Sequence, residues 1–283
     1  MQKWIIFVAL FGLFKGLREP IKKQALKRDS LMGVLFLYTL IGFLMAAPTA
    51  KDVFYIPLPV FGLTVVKSFA VFSAWIAAFI SVKKMPVSLY GIIDMSRVIF
   101  STILGVMFLK ERLTPHGSIG LAAVLLGLFL VNRKKSRSDE AVDMKYIWLT
   151  VLSCGLNAIS GTLDKYIMST GKISSSQLQF WFMLLLTVFY GGYILLKREK
   201  VNLRSCLKNP YIYLLSILLV MGDRLLFIAN SDPASKVTVM TLIKQCSVLV
   251  TVVSGRIIYK EKNIGYKLLC AVVILIGIFI ATV

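Results

Sequence analysis

Five side chains share one helical face between residues 90 and 105: Tyr90, Asp94, Arg97, Ser101 and Gly105, spaced four, three, four and four apart. A carboxylate and a guanidinium one turn apart can do two kinds of chemistry. They can neutralise each other as an i,i+3 ion pair. Alternatively they face a solute, and the guanidinium holds a carboxylate or phosphate through two parallel hydrogen bonds. Both residues lie in the middle of an apolar stretch. A charge at the centre of a membrane helix costs roughly 2.5–3.5 kcal/mol on insertion scales, so the pair is expected to face protein or a water-filled cavity.

Other polar residues sit at comparable depth. Lys244 lies 150 residues beyond Asp94, in a second apolar run, with Gln245 beside it as a donor. Ser153, Asn157, Ser160 and Asp164 line one face of another run, and Lys67 interrupts a third. Asp223 and Arg224 are adjacent, about 100° apart around a helix, so one should face a cavity and the other a neighbouring helix. The expected cavity set is therefore Arg97, Asp94, Lys244, Gln245, Tyr90, Lys67, Asn157, Asp164 and Asp223. Lys15 and Arg18 are expected at the cavity's cytoplasmic mouth, and Lys165, Lys236 and Arg256 are expected to snorkel from helix ends. The charges within the runs leave a slight positive balance, which favours an anionic or zwitterionic solute.

The elements that position these residues follow from the apolar runs. The chain is 58% hydrophobic with a mean hydropathy of +0.80, well above a soluble protein's usual 45–50% apolar content. Runs near 20 residues predict membrane helices over 4–26, 30–47, 59–82, 86–109, 114–132, 146–168, 175–196, 210–229, 236–259 and 264–283. The first is the weakest, its apolar part ending near Phe14. No cleavable signal peptide is expected. The polar stretch 133–145 divides five predicted spans (1–132) from five (146–283). An odd number of spans per half requires the halves to be inserted in opposite orientations, as an inverted repeat. Lys and Arg number twenty in one set of predicted loops and five in the other. This places the basic loops in the cytoplasm and both termini outside.

The halves also repeat in sequence. Shifted by 150, FLKERL at 108–113 falls on IYKEKN at 258–263, Gly105 on Gly255 and Gly127 on Gly277. The pattern Pro86, Ser88, Glu111, Arg112, Leu113, Gly120 and Gly127 resembles the EamA-type members of the drug/metabolite transporter superfamily. The second copy matches through Pro233, Ser235, Gly255, Glu261 and Gly277, and departs at Lys262-Asn263. The resemblance implies an all-α integral membrane protein, with ten transmembrane helices as two inverted five-helix repeats around a central cavity. It also implies transport of small metabolites, often outward.

Under that symmetry Asp94 and Lys244 are expected to meet as a midplane pair. Glu111 and Glu261 are expected to pair with a flanking Lys or Arg, or to cap the next helix. Gly12 and Gly16 are expected to pack helices, and His116 to be interfacial. The four cysteines have no metal-ligand spacing. No cofactor, metal, catalytic residue or nucleic-acid partner is expected. The expected partners are a small-molecule substrate, membrane lipid and a coupling proton or ion, with the chain a monomer or homodimer in the cell membrane. A phosphate-binding GxxxxGK[ST] loop is absent, which argues against direct ATP drive. The competing classes are a lipid-modifying enzyme, poorly supported by one histidine, a channel, and a lipid-carrier flippase.

Overall fold

A computed structural model describes residues 3–111, 115–133, 142–261 and 264–282. Arg112, Leu113, Lys262, Asn263 and linker residues 134–141 lie outside them. The described residues form helices and turns without strands, as a bilayer demands, because a helix satisfies its backbone polar groups within one segment. The helices are α1 (Lys3–Arg28), α2 (Leu31–Ala46), α3 (Leu58–Lys84), α4 (Val87–Asp94), α5 (Arg97–Leu109), α6 (Pro115–Arg133) and α7 (Met144–Ser169). There follow α8 (Ser175–Lys197), α9 (Leu203–Leu207), α10 (Pro210–Ser231), α11 (Val237–Lys244), α12 (Ser247–Tyr259) and α13 (Ile264–Thr282).

Seven segments among the described residues are long and apolar enough to cross a membrane: α2 with its short extension to Thr49, α3, α4–α5, α7, α8, α10 and α11–α12. The chain is an all-helical, multi-pass membrane protein. Helix α1 fails that criterion because Lys15, Arg18, Glu19, Lys22 and Lys23 interrupt it. It is nevertheless one continuous helix buried against α10, α11 and α12. Lys15, Arg18, Glu19 and Lys22 are all at most 9% exposed. The expectation that Lys15 and Arg18 sit at a mouth is therefore corrected, because carboxyl and aromatic partners hold them inside. Arg18, Lys22 and Lys267 also drop out of the loop charges, being buried within α1 and α13. The basic excess keeps its sign without them.

Polar ties sort the helix ends into two sets. At the basic end Lys23 Nζ donates to the Met85 carbonyl at 2.6 Å, Asn209 Nδ2 to Asp29 Oδ2 at 2.7 Å, and the Tyr259 hydroxyl to the Pro20 carbonyl at 2.7 Å. At the other end Gln177 Nε2 donates to the Asp52 carbonyl at 2.8 Å and Trp181 Nε1 to the Val53 carbonyl at 2.7 Å. Lys165 belongs to this second set. It is buried rather than snorkelling, and donates to the carbonyls of Asn230 and Asp232 and to Ser235 Oγ.

The packing divides into layers. Helices α2, α3, α8 and α10 share one large apolar core with the end of α1, including Tyr38, Phe79, Leu178 and Phe227. A second core joins α4, α5, α11, α12 and α13 through Ile92, Val98, Leu242 and Val252. Helix α1 runs between them. Its glycines permit close approach: a Cβ at Gly16 would lie 2.6 Å from the Ser247 carbonyl oxygen, and one at Gly12 3.4 Å from that of Lys244.

Candidate functional site

Two of the predicted spans are interrupted, at equivalent places. Between α4 and α5 the chain turns through Met95 and Ser96, and between α11 and α12 through Gln245 and Cys246. At each break the backbone tightens to i→i−3 hydrogen bonds, from Met95 N–H to the Ile92 carbonyl and from Gln245 N–H to the Leu242 carbonyl. Asp94 and Lys244 are the last helical residues before the two breaks. The break residues keep right-handed helical φ and ψ, so each span tightens for one turn without unwinding, and what it turns inward is the side chain of Asp94 or Lys244.

The same two spans end alike. Lys110 and Lys260 both adopt left-handed backbone, with φ of 53° and 52°. This conformation is costly for a residue with a Cβ. The turn swings Glu111 and Glu261 back over Gly105 and Gly255, where a Cβ would lie 2.9 and 3.0 Å from the carboxylate oxygens. Each glutamate then caps a helix of the opposite half. The N–H groups of Val237 and Thr238 donate to Glu111 at 2.6 and 3.1 Å, and those of Val87 and Ser88 donate to Glu261 at 2.7 and 3.2 Å. Ser88 Oγ also bonds Glu261, and Lys267 Nζ donates to Ser88 Oγ at 2.8 Å. The left-handed turn aims both glutamates across the molecule; the expected cap of the next helix falls at residues 112–114 and 262–263, outside the described ones.

Between the two cores lies a cavity of about 100 Å³. Of the expected residues, Arg97, Lys244, Tyr90, Lys67, Asn157, Asp164 and Asp223 line it. Asp94 and Gln245 are buried but not on its wall. Arg224 points away, donating to Gln179 Oε1 and Thr49 Oγ1, both at 2.6 Å. Sequence reasoning missed Glu19, Lys22 and Tyr38 on the wall and put Arg18 and Lys15 at its mouth. The signal was present: Lys15, Arg18, Glu19 and Lys22 fall three or four apart and so share a face of α1.

The wall is organised into compensated groups. Asp94 receives Lys15 at 2.6 Å and Arg97 at 2.8 Å. Asp164 pairs with Lys67 at 2.8 Å, and Glu19 with Lys22 at 2.8 Å. Lys67 also lies over the Phe182 ring, 3.3 Å from its centroid. The anticipated Asp94–Lys244 contact does not form. Lys15 occupies that side of Asp94, while Lys244 sits over Phe11, 5.6 Å from the ring centroid.

The first half settles the comparison with known proteins. Residues 2–133 match the model of the EamA-like transporter family. Within that stretch lie the α4–α5 break, the Asp94 triad and the whole of α1. A solved structure described as "Crystal structure of protein" resembles the chain with a TM-score of 0.71 at 14% identity, over 97% of this chain and 96% of that chain. At that identity the likeness shows the fold alone. No curated protein matches the sequence.

Proposed function

We propose that this EamA-like protein is a secondary transporter of a small anionic or zwitterionic metabolite, working by alternating access and in the export direction. Its architecture on this reading is ten spans in two inverted five-helix repeats, with the basic loops cytoplasmic. The observation that carries the proposal is the charged cavity beside two interrupted spans, whose equivalent ends are held by exchanged glutamate caps. That arrangement supplies what a carrier needs: fixed charges at depth to meet a solute, and rigid crossed helices around which the other layer can rock. The lining carries Lys15, Arg18, Lys22, Lys67, Arg97 and Lys244 against Glu19, Asp164 and Asp223, with Asp94 behind. A positive excess of this kind favours acids over cations. A cavity of about 100 Å³ is of a size for a small solute.

Arg97 is assigned to the solute. Its Nη2 binds Asp94, while its buried Nε has no hydrogen-bond partner among the described residues. Arg97→Lys keeps the charge that Asp94 needs but loses the planar fork. The variant is expected to express and fold as the parent does, while flux into reconstituted vesicles falls at least tenfold. Near-parental flux in a well-folded Arg97→Lys protein would leave only the ion-pair role. Comparing metabolites of cells with and without the protein supplies the solutes to test, and flux dependent on an ion gradient separates a carrier from a channel.

A further inference from the structure

Three groups on the cavity wall are left over when the pairs are removed. Arg18, Lys244 and Asp223 form no ion pair among the described residues. Arg18 and Lys244 meet at Phe11, and Asp223 lines the same cavity. Arg18 Cζ and Lys244 Nζ each lie 5.6 Å from the Phe11 ring centroid. Gly222, which precedes Asp223, faces the same ring, with the place of a Cβ 3.4 Å from it. Arg18 is 7% exposed; it reaches the Tyr38 hydroxyl at 3.4 Å and leaves Nε without a partner. Asp223 is also 7% exposed, and no described residue donates a hydrogen bond to it. Buried charges with unused hydrogen-bonding capacity are costly to keep, unless something else completes them.

The leftover groups have both signs. Two cations flank one ring, and a carboxylate lines the same cavity. Asp164 and Glu19 each already face a lysine at 2.8 Å, whereas Asp223 faces no cation at ion-pair distance among the described residues.

We propose that Asp223 is the selectivity residue of the cavity. Arg18 and Lys244 take the acidic group of a small organic anion. Asp223 accepts a hydrogen bond from an ammonium or hydroxyl group on the same solute. The cavity therefore discriminates amino and hydroxy acids from unsubstituted acids of the same skeleton, a conclusion that rests on the transporter reading above.

The test uses two matched series, propionate, lactate and alanine, and succinate, malate and aspartate. Their binding to the purified full chain is measured by ligand-induced thermal stabilisation. In at least one series the substituted acids should bind the parent protein about tenfold more tightly than the unsubstituted one, the worth of one hydrogen bond to a charged group. Asp223→Asn should erase that preference while the unsubstituted acid still binds, and Asp223→Glu should keep it. Equal binding within both series by the parent protein overturns the proposal, as does an unchanged preference in Asp223→Asn. Binding of neither series overturns it together with the anionic reading of the cavity. Gradient-driven flux of some other solute would then still identify a transporter.

Discussion

At the break after α4, a carboxylate is clasped by two cations. At the break after α11, the equivalent residue is a lysine clasped by none. Asp94 receives Lys15 and Arg97 at 2.6 and 2.8 Å, whereas among the described residues Lys244 meets the face of Phe11 and no carboxylate at ion-pair distance, and neighbouring Gln245 leaves Nε2 without a partner. The two backbones match residue for residue, so the difference lies in side chains: Arg97 has Ser247 as its counterpart, and α1 brings something different to each break. To the first break it brings Lys15; to the second it brings Gly12, Gly16 and Phe11. One break is completed internally and holds the molecule together. On the proposed reading, the other leaves its cation to the solute.

The largest test of that contrast removes the centre of the completed break. Asp94→Asn strands Lys15 and Arg97 as uncompensated buried cations, and breaking a buried pair in this way costs about 3–5 kcal/mol. Folded yield and the detergent melting temperature should both fall sharply. Lys244→Gln should leave them near the parent's while reducing vesicle flux. Equal melting temperatures for the two variants would remove the distinction.

A charge exchange sharpens the same point. Asp94→Lys combined with Lys15→Asp should recover a substantial part of the stability lost by either change alone, since the partners couple directly. Asp94→Lys combined with Lys244→Asp should give additive losses. Recovery by the second pair and not the first would restore the direct Asp94–Lys244 contact.

The crossing of α4 and α12 offers a smaller effect. A Cβ at Gly91 would lie 2.7 Å from Thr251 Cγ2. Gly91→Ala should therefore destabilise by about 1–3 kcal/mol through overpacking. Thr251→Ser, which removes that methyl group and keeps the hydroxyl, should relieve most of the loss. A melting series on the four proteins measures the relief.

The smallest expected effect compares the two caps. Losing a cap costs about 0.5–2 kcal/mol. Glu261→Gln should lie at the upper end of that range and Glu111→Gln at the lower, because Lys267 reinforces only the Glu261 cap, approaching it to 3.7 Å. The equivalent position in the first half is Gly117. Equal losses would show that the backbone donors alone set the strength of both caps.

Most of the helix positions were legible in the sequence, because a bilayer imposes one length and one polarity on whatever crosses it. Predicted and observed segments agree within a few residues, α1 included, although its charges cut its hydropathy short. The depth of Asp94, Arg97, Lys244 and Asp223 was legible for the same reason. Their partners were not. Sequence periodicity gives which residues share a face of one helix, but not which face of another helix meets them. Lys15 therefore took the place assigned to Lys244. The breaks at Met95–Ser96 and Gln245–Cys246 left no trace either, since neither contains glycine or proline. Tertiary packing fixes them. Cys246, though it falls in an apolar run, lies exposed at the second break.

The exchanged caps bear on how the chain is made. Glu111 meets donors 126 residues further on, and the start of α4 waits 174 residues for Glu261. A ribosome therefore finishes the first half well before that half can finish itself. During that interval the N–H groups at the head of α4 and the carboxylate after α5 remain without their final partners, and surrounding lipid and water must serve in their place. Neither half is a module that matures alone. Each is the other's missing terminus, and the last residues to emerge complete the order of the first.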